Sequence, residues 1–165
     1  MRLAAPETVR EALEKSDFGQ RVHLVLHAFH SGTDSYPGPF QETVTAANRD
    51  AAIRCLEEIS RAVFAKDLED NFMHRGWLLR WRQVIPKYID WQIERERSWR
   101  VAGTEIAVET RRGELTLRGR IDRLDRGGEG DGIVDYKTGI TPHPDKVLSG
   151  EEVQLPFYAL LADQP

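Results

Sequence analysis

The chain has 165 residues, of which 40% are hydrophobic and 30% are charged, and this fits one globular domain with its own core. The net charge of −4 argues against a protein that simply coats nucleic acid. No apolar run approaches the roughly 18 residues of a membrane span, and the N-terminus lacks the apolar core of a signal peptide. We therefore expect a cytoplasmic protein without a membrane partner.

The first third of the chain predicts three helices. A short helix begins near Pro6, and a nearly all-apolar helix follows from about Phe18 until Gly32 stops it. After a loop rich in proline and glycine, helical spacing resumes from about Thr45 to about Lys66. Cys55 lies in this third helix as the only cysteine, so an internal disulfide is excluded and we expect a packing residue.

A long helix is predicted next, with a possible kink at Pro86. Five apolar residues recur at intervals of three or four, and this spacing favours a core-facing stripe over a base-stacking surface. They are Trp77, Trp81, Val84, Tyr88 and Trp91. Residues 75–126 hold 13 basic and 8 acidic side chains. Such a basic stretch suits a surface that follows a phosphate backbone, but charge alone favours a solvated, salt-bridged helix.

The hydrophobic period then changes to two. Residues 104–125 predict a β-hairpin with its turn near Arg112–Gly113, and "IVDYK" predicts a third strand after the turn "GGEGDG". A last helix is expected in "EEVQLPFYALLADQ". The predicted fold is α+β, with N-terminal helices packed on a small central mixed sheet with antiparallel hairpins, followed by a C-terminal helix. We expect one domain over residues 1–165, as a fragment of a longer protein cut before a last strand.

Charged residues interrupt the two strands that flank the glycine-rich turn. Residues two apart share a strand face, so Asp135 and Lys137 point the same way and Tyr136 points opposite. The turn lays Asp122 of the preceding strand beside Asp135. Such a cluster is either a buried salt-bridge network or a site for a hard divalent cation that relieves the repulsion between carboxylates. A D-x-K match, here the segment of Asp135, Tyr136 and Lys137, is common by chance, so both alternatives stay open.

Four segments, in order, make the sequence similar to a known family. They are "GQRVHLVLHAF" (19–29), "GRIDRLD" (119–125), "VDYKTG" (134–139) and "QLPFYALL" (154–161). The set resembles the PD-(D/E)XK nuclease superfamily, in particular the RecB-like nuclease domains of RecB/AddB-type helicase–nucleases. The resemblance spans about 140 residues of the chain. No single motif is decisive, but the ordered set is specific.

The resemblance implies an α/β restriction-endonuclease-like fold and a set of functional residues. His23, Asp122 and Asp135 would bind Mg²⁺ or Mn²⁺, with the backbone carbonyl of Tyr136 as a further ligand. Lys137 would position the attacking water. Asp122, Asp135 and Lys137 would thus form the catalytic set.

Four further residues have supporting roles in this interpretation. Glu105 matches an acidic position of the family, as a ligand of a second ion or a neighbour of the ligands. Gln154 and Tyr158, four apart on one helix face, would look onto the active site and the DNA. Arg123 would orient a carboxylate rather than touch phosphate, and Asp125 is predicted to be a turn or salt-bridge residue.

Histidine spacing leaves one other metal site open. His27 and His30 follow His23 by four and seven residues, so they could share its helix face. This would suit an all-histidine transition-metal site, but no other segment of the sequence supports one. We therefore predict a structural role for His27.

The implied function is a metal-dependent DNA exonuclease domain that hydrolyses phosphodiester bonds in double-strand-break repair and recombination. Its partners would be a single-stranded DNA end and a helicase domain or subunit. Many relatives carry four cysteines around an iron–sulfur cluster, which the lone Cys55 excludes here. Two alternatives remain: a catalytically inactive DNA-binding or scaffolding module with this fold, and a phosphohydrolase acting on small nucleotides.

Overall fold

The described part of this α+β protein forms three helices and a three-stranded antiparallel sheet, consistent with a restriction-endonuclease-like fold. A computed structural model describes residues 6–65, 72–128 and 130–138. Within these ranges, residues up to Glu94 together with residues 137 and 138 form one compact unit, and Arg95–Tyr136 form a second. Among the described helices, none has the length and apolar character needed to cross a membrane.

Helix α1 spans Pro6–Ser31 and is continuous, so the prediction of two helices in this region was wrong. Gly19 lies inside α1, where a glycine costs about 1 kcal/mol relative to alanine. That cost is too small to break a helix that is buried over the following turns. A Cβ at Gly19 would lie only 3.2 Å from Thr138 Oγ1, so the small residue also leaves room for a neighbour. Gly32 ends the helix with a φ of 76°, as predicted.

Helix α2 spans Arg49–Ala65 and begins four residues later than the sequence predicted. Asn48 sets this start, because its side-chain Oδ1 accepts the Thr45 N–H at 2.7 Å and its carbonyl accepts the first helical bond from Ala52 at 3.0 Å. Asparagine favours such positions because its side chain competes for backbone groups outside the helix.

Helix α3 spans Phe72–Arg95 and runs through Pro86. The predicted apolar stripe on this helix was wrong in its direction. Trp81 is buried, but Val84 and Trp91 are 43% and 41% exposed. The core face instead continues from Trp81 through Ile85 and Ile89, which are fully buried. The two stripes have the same period and meet at Trp81, so periodicity alone could not separate them.

The first unit, which we call the helical unit, is built around an apolar core shared by α1, α2 and α3. Its buried members are Val22, Val25, Leu26 and Phe29 of α1, Ala52, Leu56, Ile59, Val63 and Phe64 of α2, and Trp81, Ile85 and Ile89 of α3. The Trp81 indole N–H donates to Ser60 Oγ at 2.8 Å, and Ser60 Oγ donates to the Leu56 carbonyl at 2.6 Å. The buried polar atoms of this contact are therefore satisfied, as a stable core requires.

The second unit contains the sheet, with strands β1 (Trp99–Arg112), β2 (Leu115–Gly127) and β3 (Gly130–Val134) in the order β1-β2-β3. All three described strands are antiparallel, so the expected mixed sheet is not what these residues form. The hairpin turn lies at Gly113 and Glu114, within a residue of the prediction. Gly113 has a φ of 62°, which suits the first position of a type II′ turn.

The glycines around the second turn have a packing role. A Cβ at Gly127 would lie 2.9 Å from the Trp99 ring, and one at Gly132 would lie 3.0 Å from the ring and 3.1 Å from Arg95 Nη2. These two glycines therefore make room for Trp99 and Arg95 against the β2–β3 hairpin. The turn itself needs Gly130, whose φ is 131°.

Strand β3 ends at Val134, so the prediction that the D-x-K residues lie within a strand was wrong. The Tyr136 backbone N–H donates to Asp122 Oδ2 at 2.8 Å, and a side chain thus takes the place of a strand carbonyl. The predicted C-terminal helix, with Gln154 and Tyr158, lies outside the described residues. The one-domain expectation for residues 1–165 and the truncation before a last strand remain predictions.

Candidate metal centre

Asp122 is held at the end of the hairpin by the backbone of the next segment. Its side chain lies on β2, where Ile121 and Arg123 on either side are buried, and only 9% of Asp122 is exposed. A buried carboxylate is costly without a partner. The bond from the Tyr136 N–H supplies one, and it fixes the carboxylate at the start of the D-x-K segment. This interaction explains in part how the strand tolerates the charge.

Glu105 faces Asp122 from strand β1. The register that pairs Thr104 with Arg123 and Ile106 with Ile121 puts Glu105 opposite Asp122. The carboxylate oxygens of these two acidic residues lie within 4.8 Å of each other. Glu105 also accepts from Arg120 Nη1 at 3.4 Å. Two carboxylates this close repel each other unless a cation shares them.

The backbone of Glu105 has an unusual conformation. Its φ is 53°, in the left-handed region that non-glycine residues rarely adopt, and it lies in the middle of a strand. Strained backbone of this kind is often found where a side chain must be aimed at a functional site. No sequence pattern signals this conformation, because a glutamate in an alternating strand predicts ordinary extended backbone.

Asp135 and Lys137 follow β3 directly. The last pair of the β2–β3 register joins Arg123 to Val134, so Asp122 and Asp135 are the residues next to that pair on the two segments. Asp135 is half-buried, and Lys137 is exposed. The Tyr136 side chain reaches the other face of the hairpin, where its hydroxyl accepts from Arg123 Nη1 at 3.4 Å. Glu105 and Asp122 thus lie opposite each other on β1 and β2, and Asp135 lies just beyond the end of β3.

The three histidines of α1 lie in the helical unit. His23 and His27 are half-buried. His30 Nε2 is 2.6 Å from the Tyr88 hydroxyl of α3, and its ring lies edge-on to the Tyr88 ring. His30 thus joins two helices. The role of His23 as a metal ligand and the structural role of His27 remain predictions.

A buried ion-pair network lies behind the D-x-K segment. Arg123 and Asp125 are both fully buried, and Arg123 Nε and Nη2 donate to the two Asp125 oxygens at 2.6 and 3.0 Å. Arg95 Nε donates to the same carboxylate. Asp125 is therefore a salt-bridge residue, as predicted, and its partner is Arg123. Sequence reasoning missed Arg95, which lies 30 residues from Asp125 and carries no local signal for the pairing.

An exposed counterpart of this pair lies on the same hairpin. Arg126 donates to both oxygens of Asp131, at 3.0 and 3.4 Å. The hydrogen bonds from Arg126, followed by its charge, lower the pKa of the Asp131 carboxyl. In the helical unit, burial followed by the nearby Glu58 charge raises the pKa of the Cys55 thiol, which fits the predicted packing role.

The acidic residues of this site suit a divalent cation. Glu105 and Asp122 offer converging carboxylate oxygens, and Asp135 directly follows β3, the strand that pairs with β2. Carboxylates are the ligands that Mg²⁺ and similar hard ions take, and a cation offsets the repulsion between them. The chemistry of these carboxylate ligands therefore agrees with a metal-dependent reaction at this site.

The full chain matches one known family. Residues 1–165 match the PD-(D/E)XK nuclease superfamily, whose nucleases use divalent metal ions, typically Mg²⁺, to cleave the phosphodiester bonds of DNA. No curated protein matches the chain at a significant level. The four motifs, the α+β fold and the paired carboxylates agree with the family match. The chain therefore belongs to the PD-(D/E)XK nuclease superfamily.

Proposed function

We propose that this nuclease domain is a Mg²⁺- or Mn²⁺-dependent DNA exonuclease. The observation that carries the proposal is the pair of facing acidic residues on β1 and β2, with a third acidic residue directly after β3. Glu105 and Asp122 have carboxylate oxygens within 4.8 Å of each other, and Asp135 directly follows β3. A purely structural role would not require two acidic residues to face each other, because their mutual repulsion opposes folding.

In this proposal Asp122 and Asp135 hold the metal ion, together with His23 and the backbone carbonyl of Tyr136. Glu105 lies beside them as a further ligand. When bound, the ion supplies positive charge that stabilises the phosphoryl oxygens in the transition state. The Asp122–Tyr136 hydrogen bond supports this arrangement, because it ties one ligand residue to the backbone that carries the next.

Lys137 positions the attacking water in the proposed reaction. Lys137 is an exposed residue, and it lies two positions after Asp135. Three N–H donors on a flexible stem suit the orientation of a water molecule for in-line attack, while the positive charge also favours the anionic phosphate. Arg123 is a supporting residue, since its side chain is fully buried and bonded to Asp125.

A polymeric substrate is supported by the surface of β2. Arg118 and Arg120 precede Asp122 at intervals of two, so they share its strand face, and their side chains are 75% and 69% exposed. Their partners are Glu109 and Glu105. Exposed ion pairs contribute little stability, so phosphate groups can compete for these arginines. A small nucleotide would need no such row.

The finer assignment rests on the resemblance of the four motifs to RecB-like nuclease domains. It supports action on single-stranded DNA ends during double-strand-break repair and recombination, together with a helicase domain or subunit. Gln154 and Tyr158, which lie outside the described residues, would contact the DNA or the active site.

The test compares the full chain with two variants, Asp135→Ala and Lys137→Ala, on linear and circular single-stranded DNA with Mg²⁺ or Mn²⁺. We expect the wild type to degrade the linear strand and spare the circle. Both variants should lose at least about a hundredfold in rate, as is typical when a group that positions or stabilises charge is removed. Asp131→Asn is the matched control, because it alters an exposed aspartate of the same hairpin.

Unchanged activity in Lys137→Ala would contradict the proposed reaction. Cleavage of the circle would point to endonucleolytic action instead. A folded wild-type chain that neither cleaves DNA nor binds Mn²⁺ would favour the alternative of a non-catalytic scaffolding module. Hydrolysis of small nucleotides without degradation of DNA would favour the phosphohydrolase.

A further inference from the structure

The D-x-K segment is anchored at Tyr136 from both faces of the hairpin. On one face, the Tyr136 backbone N–H donates to Asp122 Oδ2 at 2.8 Å. On the other, the Tyr136 hydroxyl accepts from Arg123 Nη1 at 3.4 Å. Because Tyr136 lies between Asp135 and Lys137, these two contacts constrain the backbone that carries both residues.

Arg123 is itself fixed by a buried carboxylate. It makes a two-pronged interaction with Asp125, and both side chains have no exposed surface. A bidentate Arg–carboxylate pair has one preferred geometry, so it fixes the plane of the guanidinium group. Asp125 therefore determines the direction in which the remaining Nη1 of Arg123 points.

Asp125 is held in turn by a second cation. Arg95 donates to Asp125 Oδ2, and its guanidinium carbon lies 5.0 Å from the centre of the Trp99 ring. Gly132 gives these two side chains their space, because a Cβ there would lie 3.0 Å from the Trp99 ring and 3.1 Å from Arg95 Nη2. The network thus extends from the end of α3, through the sheet, to the D-x-K segment.

We propose that Asp125 and Arg123 are positioning residues that set the backbone of the D-x-K segment through the Tyr136 hydroxyl. The proposal rests on the proposed nuclease function for its kinetic consequence. Burial of a charged pair is expensive, and replacement of such pairs by apolar residues is often neutral or stabilising. The pair is therefore better explained by the geometry that it imposes on Tyr136 than by a contribution to stability.

Precise placement matters in this reaction, since an error of about 1 Å in a reacting group can cost about a hundredfold in rate. Asp135 and Lys137 lie on either side of Tyr136 and have no regular strand pairing of their own. Contacts of Tyr136 act on the backbone next to both residues, so a loss of one contact should lower kcat without weakening the binding of DNA.

The decisive variant is Tyr136→Phe, which removes only the hydroxyl. It is compared with the wild type and with Asp131→Asn, which disturbs the exposed Arg126–Asp131 pair of the same hairpin. In the full chain with Mn²⁺ and linear single-stranded DNA, we expect kcat to fall about tenfold. KM for DNA and Tm should stay as in the control. Asp125→Asn should lower kcat further, and Tyr136→Phe decides the matter if that variant does not fold.

A second readout needs no activity. In the metal-free protein, hydrogen exchange of the residue-136 amide should be at least about fivefold faster in Tyr136→Phe than in wild type, because its backbone has lost one anchor. Unchanged kcat, or unchanged exchange of this amide, would overturn the positioning role. If Asp135→Ala is as active as wild type, the proposed function fails instead, and the exchange result still decides whether the network fixes this segment.

Discussion

Glu105 combines a strained backbone with a carboxylate aimed at Asp122. A left-handed φ costs a non-glycine residue about 1–3 kcal/mol, and here the cost falls within a strand. The salt bridge to the exposed Arg120 is too weak to offset it. We infer that the conformation is retained because it brings the carboxylate to the proposed metal centre.

Two substitutions of Glu105 separate strain from function. Glu105→Ala keeps the unfavourable φ, whereas Glu105→Gly removes the strain at the cost of a more flexible unfolded chain. We expect Glu105→Gly to be more stable than Glu105→Ala by about 1 kcal/mol in urea denaturation. Both should bind Mn²⁺ more weakly than wild type. Equal stability of the two variants would show that the φ of 53° stores no strain.

The residues of the site were predictable to different degrees. Asp122, Asp135 and Lys137 stand out because charged residues interrupt apolar strands. The Tyr136 backbone contact and the Arg95–Asp125 pair were not predictable, because they join segments through three-dimensional packing. The role of Arg123 was foreseen only as the orientation of some carboxylate, and the structure identifies that carboxylate as Asp125.

Strand β2 has two different halves. Residues 116, 118 and 120 are exposed and alternate with less exposed neighbours, whereas residues 121–123 are all buried. The alternation made the first half easy to predict as a strand with one solvated face. The second half is covered on both faces, and this is where Asp122 and Arg123 take opposite sides.

The exposed half of β2 should contribute to DNA affinity. Replacement of Arg118 or Arg120 by glutamine should reduce the slope of log K against log salt concentration by about 0.7 per residue on single-stranded DNA. Arg54→Gln on α2 is the control, since that arginine is exposed and belongs to the helical unit. Fluorescence anisotropy over a salt series measures the slope. An equal effect of all three substitutions would mean that β2 has no special part in binding.

The helices show where element prediction from sequence fails. The sequence predicted two helices where α1 is continuous, because burial of Val22, Val25 and Phe29 outweighs the local cost of Gly19. On α3, two apolar stripes of equal period compete, and packing against α1 and α2 selects the one through Ile85. Both outcomes depend on tertiary contacts, which a local window of sequence does not contain.

At the scale of the whole molecule, the charge is distributed unevenly along the sequence. The chain carries a charge of −4, yet residues 75–126 are basic and include β1 and most of β2. Glu105 and Asp122 lie within this basic stretch, and Asp135 follows it in the sequence. A divalent cation beside these acidic residues and a phosphate backbone along β2 are electrostatically compatible, and both agree with the nuclease family.

The central claim is that Glu105, Asp122 and Asp135 belong to a metal site. Calorimetric titration of the full chain with Mn²⁺ tests this claim most directly. We predict saturable binding by the wild type and by the control Asp131→Asn. Binding should weaken at least about tenfold in Asp135→Asn, because a ligand charge is lost while the shape of the side chain is kept. Equal Mn²⁺ affinity of Asp135→Asn and wild type would contradict the account.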